Sequence, residues 1–571
     1  MNRFIAKLEE MGALLRIREF VDPVLEIAEV TDRMSKQPGG GKALLFENTG
    51  TPFPVLTNMM GSKERIAAAL GVAQLDQIPR RIEEWTSLFT QTPQGWRDKI
   101  KLLPQLNEAA SWTPQNKKGP GACQEVIYLQ PDLNLLPILQ CWPKDGGRYI
   151  TLPLVHTRDP ERGKRNVGMY RMQVFGKDRT GMHWHKHKTG ARHFAACKEA
   201  RFPVAVCLGG DPVYSFCAAA PLPDGMDEYL LAGFLRNKAV SLVPCLSIDL
   251  SVPEDCDFVL EGYIEAKEER VMEGPFGDHT GFYSLPDLYP LFHLNCLTHK
   301  KGAVYPATLV GIPPQEDAYI SEAVEKIFLT PFKISVAPEI IDFHLPVAGV
   351  SHNIVVVKIT KTYAGQAIKI AHALWGAGQM MLNKMAVVVD GEVDIRDYKA
   401  LLHAILQHYR PLHDTFFSRG PLDVLDHAAP KCGFGGKICI DATQKFPEEA
   451  LQIPDAFRPD RVFSFVHHPQ AKTNALIQVV LDAAVDLNDF FRCIWIMGNH
   501  ADPIRDMKLE DGALHIDARS KQPGDKGVFR PWPDMVCASE ETIKAVDAKW
   551  ESLCLGPFIP SPSLICQTVH Q

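Results

Sequence analysis

The sequence predicts a mixed α/β chain, α+β overall, and three observations carry that prediction. Helix and strand signals alternate over residues 1–115, and short β-rich runs separated by Gly, Pro and Asp turns fill 145–310. Beyond Pro313-Pro314, near-continuous apolar strands alternate with helices again, the pattern of a parallel sheet covered on both faces. At 571 residues the chain exceeds one hydrophobic core, so two or three domains are expected. The expected division is an N-terminal α/β domain (1–115), a central β domain (116–312), a connecting helix (313–335), a C-terminal α/β domain (336–534) and a terminal helix with its tail (535–571).

Taken in order, Phe4, Leu8, Met11 and Leu15 fall at helical spacing. Asp22-Pro23 reads as an N-cap followed by Pro at the first helical position, and Gly39-Gly40-Gly41 stops that second helix before an apolar strand at 43–46. Runs at 149–155, 169–174, 204–208, 258–264 and 292–297 give the central domain, spaced as in a barrel or compact sandwich. The C-terminal domain reads as a strand at 354–359, a helix at 365–375, then strands at 385–389, 477–481 and 493–497. Asp390-Gly-Glu-Val-Asp-Ile-Arg-Asp397 and Gly498-Asn-His-Ala-Asp-Pro-Ile-Arg-Asp506 resemble one another and hint at an internal repeat. Ser539 caps a last helix that carries Ile543, Val546, Trp550 and Leu553 on one face, to be docked on its own domain or swapped in a dimer.

The net charge of −7 and the lack of a long Lys/Arg tract argue against nucleic-acid binding. Of 14 cysteines none forms a Cys-x-x-Cys pair, and Cys207, Cys217, Cys245 and Cys493 sit in apolar runs as buried free thiols do, which points to a reducing cytoplasm. Acids interrupt the N-terminal segment where a signal peptide needs its apolar core, and no run reaches the ~18 apolar residues of a membrane span. Peripheral contact with lipid at the inner membrane surface stays open.

Chemistry concentrates in Asn166-Val-Gly-Met-Tyr-Arg171 and Glu273-Gly-Pro-Phe-Gly-Asp278-His-Thr-Gly281. Two carboxylates five positions apart in a Gly-Pro-Gly turn, joined by a distant Arg, suit proton transfer. The surrounding Val271, Met272, Phe276, Phe282 and Tyr283 are expected to desolvate the acids and raise at least one pKa; a polar turn between strands is the plainer reading. His183, His185 and His187 alternate and share one face if the segment is a strand, giving either a metal or phosphate site or a polar surface strand. Asn166 offers an amide oxygen to a hard cation, while Glu228 reads by default as a helix-start acid. Gly433-Phe-Gly-Gly-Lys437 lacks the Gly-Lys-Ser/Thr of a phosphate loop and reads as a turn.

Together these motifs, with Val21-Asp-Pro-Val-Leu-Glu-Ile-Ala-Glu-Val-Thr-Asp32, His187-Lys-Thr-Gly-Ala191, Leu260-Glu-Gly-Tyr-Ile264 and Ile440-Asp-Ala-Thr443, resemble the UbiD family of decarboxylases, closest to its polyprenyl-hydroxybenzoate and hydroxyaryl-acid branch. The resemblance implies a split β-barrel flavin-binding domain between two α/β regions, with prenylated FMN, a divalent metal (Mn²⁺ in related enzymes) and K⁺. It implies Arg171, Glu273 and Asp278 as the catalytic network and Asn166, His187 and Glu228 as metal ligands. Asn166, Val167, Gly168, Met169, Tyr170, Arg171, His183, Trp184, His185, His187, Lys188, Glu228 and Lys384 are implied in flavin binding. His183 stands where close relatives often carry Arg, and a segment near 455–534 has no counterpart in the shorter quinone-pathway members.

The function so implied is non-oxidative decarboxylation of an aromatic acid, polyprenyl-hydroxybenzoate or naphthoate-type, in ubiquinone or menaquinone biosynthesis, with Asp278 as proton donor. A flavin prenyltransferase supplies the cofactor, and a homo-oligomer, dimer or hexamer, is expected. The alternatives are a reversible decarboxylase of a small phenolic acid and a non-catalytic flavin-binding paralogue.

Overall fold

The computed structural model describes residues 1–90, 107–185, 188–222, 225–449, 459–525, 527–528 and 530–567. Two compact units emerge, Met1–Ile320 with Met535–Leu564, and Ser321–Asp534 with Ile565–Gln571. No described helix is long and apolar enough to cross a membrane.

The first unit opens with the helix Asn2–Glu10, which buries Phe4, Ile5 and Leu8. It ends earlier than the apolar spacing suggests, because Gly12 at φ 62° breaks it; Met11 is exposed and Leu15 belongs to the strand Leu14–Phe20. The second helix, Glu26–Ser35, starts three residues beyond Pro23, while Asp22 instead accepts the N–H of Val24 at 2.8 Å. Strands Leu14–Phe20, Ala43–Asn48, Val55–Thr57 and Tyr305–Pro306 form the N-terminal sheet in that order.

The central region is a seven-stranded antiparallel sheet. Its order is Arg179–Gly181, Leu291–His299, Phe258–Glu265, Arg201–Leu208, Leu154–Arg158, Arg165–Met169, with Val126–Tyr128 also pairing Leu291–His299. Phe202, Val204, Val206, Leu208, Leu260, Ile264 and Phe292 build its core. The terminal helix Glu540–Lys549 is capped by Ser539, which accepts the Thr542 N–H at 3.2 Å, and it docks on the chain's own Glu26–Ser35 helix. Fully buried Arg33 ties the two together, 2.6 Å from Glu29, 2.7 Å from Asp547 and beneath the Trp550 ring. The apolar stripe is thus buried against its own domain in this chain.

The second unit contains one half-domain twice. Its first sheet runs Ile340–His344, Ile354–Ile359, Met385–Asp390, Phe434–Asp441, Thr415–Pro421, and its second runs Arg461–Val466, Ala475–Val480, Ala513–Asp517, Met507–Glu510. In both, two parallel strands lead through a helix (Tyr398–His408, Phe490–His500) and a short helix (Pro411–Asp414, Pro503–Asp506) into an antiparallel hairpin whose second strand joins the sheet centre. The hydrogen bonds repeat too. Arg410 N–H donates to Asp414 at 2.7 Å and Asp502 N–H to Asp506 at 2.8 Å. Gln444 N–H donates to Asp390 at 2.5 Å and Ser520 N–H to Asp482 at 2.9 Å. Lys445 Nζ donates to the carbonyls of Asp441 and Thr443, as Lys521 Nζ does to those of Asp517 and Arg519.

This repeat corrects the sequence reading in two places. The counterpart of Asp390 to Asp397 is Asp482 to Asp489, and the segment ending at Asp506 matches instead the one ending at Asp414. Residues 493–497 are helical, not a strand: Asp489 accepts the Arg492 N–H at 3.0 Å and caps an eleven-residue helix. A short apolar run looks alike in a buried helix and a buried strand. Trp495 is buried there, while Phe490 and Phe491 are exposed. Gly433 does lie in a turn, at φ 72°, but Phe434 to Lys437 belong to the strand Phe434–Asp441, with Gly436 donating to Asp502 at 2.7 Å.

In the first copy the helix Gln366–Trp375 covers the sheet through Ala367, Ile370, Ala371 and Leu374 against Val355, Val357, Ala386 and Cys439. The second copy has no helix between its first two strands. Gln478 and His515 replace Ala386 and Cys439 on that face, and buried Gln478 bonds Thr473 at 3.0 Å and the Pro469 carbonyl at 3.3 Å from the connecting segment. Polar substitution compensates for the lost apolar cover.

Candidate active site

Arg171 follows the strand Arg165–Met169, Glu273 ends the strand Val271–Glu273, and Asp278 lies in the turn beyond it. The guanidinium joins all three. Arg171 Nε donates to Glu273 Oε1 at 2.8 Å and Nη2 to Oε2 at 3.1 Å, a bidentate pair, while Nη1 donates to Asp278 Oδ2. Nη2 also reaches Ser284 Oγ at 3.0 Å, and the guanidinium lies 4.6 Å from the centroid of the Phe276 ring. The side chains are 8% exposed at Arg171, 0% at Glu273 and 11% at Asp278, so solvent screens this network little.

A second set of residues holds the turn in place. Asp145 Oδ1 accepts the Gly277 N–H at 2.8 Å, and its Oδ2 accepts those of Trp142 and Cys141 at 2.9 and 3.1 Å. Gln173 Oε1 accepts the Gly274 N–H at 2.8 Å, Ser284 Oγ accepts that of Phe276 at 3.2 Å, and Tyr149 donates to the Pro275 carbonyl at 3.1 Å. Glycine is required at 277, since a Cβ there would stand 2.3 Å from Trp142 Cδ1.

The electrostatics reverse the expectation of a raised acid. Burial pushes Glu273 up, but the His183 hydrogen bond and the Arg171 charge overcome it and hold it at about 2. Asp278 is likewise raised by burial yet held well below its ordinary value by His279 and Arg171. The imidazoles of His183 and His279, with the shared guanidinium, outweigh the apolar neighbours and favour the ionised form of both acids in the resting site. Burial does raise other carboxyls, among them Asp145 and Glu228, each to about 7.

His183 and Trp184 are buried against the Asn166-to-Arg171 segment, with the His183 N–H donating to the Arg171 carbonyl at 3.4 Å and the Trp184 ring 6.3 Å from that of Tyr170. His183 Nδ1 lies 2.9 Å from Glu273 Oε2, and its Nε2 2.9 Å from His185 Nε2. These imidazoles fall past the strand Arg179–Gly181, not on a continuous strand. Asn166, Val167, Gly168 and Met169 lie on Arg165–Met169. Glu228 opens the helix Glu228–Arg236 and accepts the Val167 N–H at 2.9 Å, bringing its carboxylate beside the residue that follows Asn166. Lys188 is the N-cap of Thr189–Ala196, and His187 lies outside the described residues. Lys384 belongs to the second unit, fully buried 2.8 Å from Asp426.

Sequence reasoning missed Asp145, Gln173, Ser284 and His279. Only His279, quoted within its motif but given no role, left a signal; the other three act on the turn from elsewhere in the chain.

Three domain models of 3-octaprenyl-4-hydroxybenzoate carboxy-lyase match the chain consecutively: the N-terminal domain at 5–85, the Rift-related domain at 115–313 and the C-terminal domain at 318–442. An uncharacterized protein of Aquifex aeolicus is 46% identical over 452 residues, 79% of this chain and 92% of its own. Vanillic acid decarboxylase of Sedimentibacter hydroxybenzoicus in its closed form is 26% identical with a TM-score of 0.69, covering 79% of this chain and 94% of its own. An evolved dimeric form of HmfF, a UbiD-class enzyme of Pelotomaculum thermopropionicum, in complex with prFMN, is 28% identical with a TM-score of 0.63, covering 79% and 96%. Matched in order by all three domain models, and sharing its fold with UbiD-class decarboxylases, the chain belongs to the UbiD family of carboxy-lyases.

Proposed function

We propose that this chain decarboxylates a hydroxyaryl carboxylic acid with prenylated FMN, using Arg171, Glu273 and Asp278. The observation that carries the reading is the single guanidinium bridging two buried carboxylates. Prenylated FMN, when bound, supplies a sink for the electrons left on the ring as carbon dioxide departs. Arg171 orients the substrate carboxylate, Glu273 fixes Arg171 from behind, and Asp278 protonates the ring carbon. A substrate carboxylate that draws the Arg171 charge toward itself weakens the hold on Asp278, so its proton affinity rises when it is needed.

The lining residues fit a flavin. The segments carrying Val167, Gly168, Met169 and Tyr170 and carrying His183, Trp184 and His185 lie side by side, and the buried Trp184 Nε1 has no hydrogen-bond partner among the described residues. Asn166 and Glu228, with His187, would hold a divalent cation such as Mn²⁺, with K⁺ nearby, at the flavin phosphate. An amide oxygen and a carboxylate are hard donors, and a carboxyl raised to about 7 by burial gains from a neighbouring cation. No group of three His, Cys, Asp or Glu side chains forms such a site among the described residues, so the set depends on Asn166 and His187. Lys188 would border the flavin.

A polyprenylated hydroxybenzoate or a naphthoate-type acid of quinone biosynthesis is the favoured substrate, from the motif resemblance. A prenylated substrate places the work at the cytoplasmic membrane surface through peripheral contact. The vanillic acid decarboxylase likeness favours a second reading, a small phenolic acid. A non-catalytic paralogue is disfavoured because all three acid–base positions are filled and joined. The dimeric HmfF form supports a homo-oligomer. The test is to produce the protein with and without a flavin prenyltransferase, weigh the released ligand and assay both acid classes. Activity confined to protein carrying prenylated FMN is expected, and full activity with plain FMN or no flavin refutes the cofactor. In a deletion strain, a prenylated or naphthoate-type acid should accumulate. Normal quinone with lost growth on a phenolic acid transfers the protein to the second reading.

A further inference from the structure

We infer that His279 delivers to Asp278 the solvent proton that each decarboxylation consumes. The inference deepens the role proposed for Asp278 and rests on that reading. Replacing a carboxylate by hydrogen takes up one proton per turnover, and a buried aspartate that gives its proton to carbon must be recharged. Of the groups bonded to Asp278, Arg171 stays protonated and cannot supply it. His279 Nδ1 lies 2.8 Å from Asp278 Oδ1, and its backbone N–H donates to the same oxygen at 2.7 Å, fixing the pair. The imidazole is 29% exposed against 11% for the Asp278 side chain, so it is the member of the pair that meets water.

Groups that face His279 include Asp278 in its own turn, with Arg171 behind it, and Asp317 at the start of the helix Glu316–Ser335, whose carboxyl burial raises while His279 draws it down. An imidazole hydrogen-bonded to a carboxylate and reached by water is suited to gain a proton and pass it on. Nε2 accepts a proton from water, and the Nδ1 proton passes to Asp278 Oδ1, leaving a neutral carboxylic acid and a neutral imidazole protonated on Nε2. The acid then gives its proton to the ring carbon holding the electron pair left by carbon dioxide. A C–H bond forms, the carboxylate is restored, and exchange with water returns the imidazole to its first tautomer. No electrons change hands with any other group.

The test uses holoenzyme with His279→Gln, His279→Asn and Asp278→Asn. Both His279 variants should keep wild-type flavin content and a KM within about threefold, lose kcat by about 10²–10³-fold, and recover at least tenfold with added imidazole. A His279 variant with near-wild-type kcat, or a loss that imidazole leaves untouched, overturns the inference. A second readout needs no turnover: in protein labelled with ¹³C-histidine, the His279 titration should move down by about one pH unit or more in Asp278→Asn, which removes the facing charge. An unmoved titration also overturns it. Asp278→Asn separates the two claims: if it stays active the proton-donor reading falls, whereas an inactive Asp278→Asn beside an active His279→Gln sinks only the relay.

Discussion

Replacing Arg171 by methionine should reverse the sign of the site's pH dependence. In the native protein Glu273 is held at about 2 against an ordinary 4.5, worth about 3 kcal/mol once the unfolded chain is also ionised. For a carboxyl lowered in the folded state, that stability is complete above about pH 4.5 and is lost as pH falls toward 2. The Arg171→Met variant would leave two buried carboxylates with only His183 and His279 as partners, a loss of about 3–5 kcal/mol at neutral pH. Burial would then dominate and raise both acids, so that between about pH 4.5 and 7 the folded variant binds protons the unfolded chain does not. Its stability should fall as pH rises, by at most about 1.4 kcal/mol per pH unit for each acid, while the native network stays flat. Because the two units need not unfold together, the measurement is native-state hydrogen exchange at Val271–Glu273 and the following turn, at pH 5 and 7. A variant whose local opening free energy parallels the native protein at both pH values would refute Arg171 as the counter-charge.

Two further substitutions probe the scaffold and the cofactor. Gly277→Ala should displace the turn, since its Cβ would meet Trp142 Cδ1 at 2.3 Å; a cost of about 1–3 kcal/mol and a fall in kcat with flavin retained are expected, read by denaturation and kinetics. Glu228→Ala or Asn166→Ala should lower metal and flavin retained after dialysis by at least tenfold, read by elemental analysis and absorbance, while wild-type retention in both would remove them from the cation site.

Much of the fold was legible because burial writes itself into period. The central strands expected at 204–208, 258–264 and 292–297 and the helix Gln366–Trp375 fall where apolar runs and turn residues place them, whereas the runs at 149–155 and 169–174 are each broken, into Tyr149–Ile150 and Leu154–Arg158 and into the end of Arg165–Met169 and Met172–Gln173. The repeat was only half legible. Its signature is the Asp at or just past the end of each second strand, the Asp that caps each following helix and the Lys just past each last strand, at Asp390, Asp397 and Lys445 and again at Asp482, Asp489 and Lys521. Hydrogen-bond geometry preserved those positions while the apolar residues between them diverged. A likeness judged by short strings aligned the wrong segments, and the helix Phe490–His500 passed for a strand because its inner residues are apolar almost without interruption.

The site shows a different limit. Sequence identified Arg171, Glu273 and Asp278 as one chemical unit, and the fold joins them, yet their ionisation could not be read from neighbours in the chain. Phe276, Phe282 and Tyr283 do surround the acids, but proton affinity answers to the hydrogen-bonding and charged partners, His183 and Arg171 for Glu273 and His279 and Arg171 for Asp278, of which only His279 is a neighbour in the chain. A resting site built this way carries its own counter-ion, and a substrate carboxylate must compete for it. Binding the substrate and readying Asp278 to accept a proton then become linked, because the guanidinium that orients the departing carboxylate is one of the groups that keep the acid ionised. His279, touching Asp278 from the side away from that competition, is where the proton can enter without disturbing Arg171.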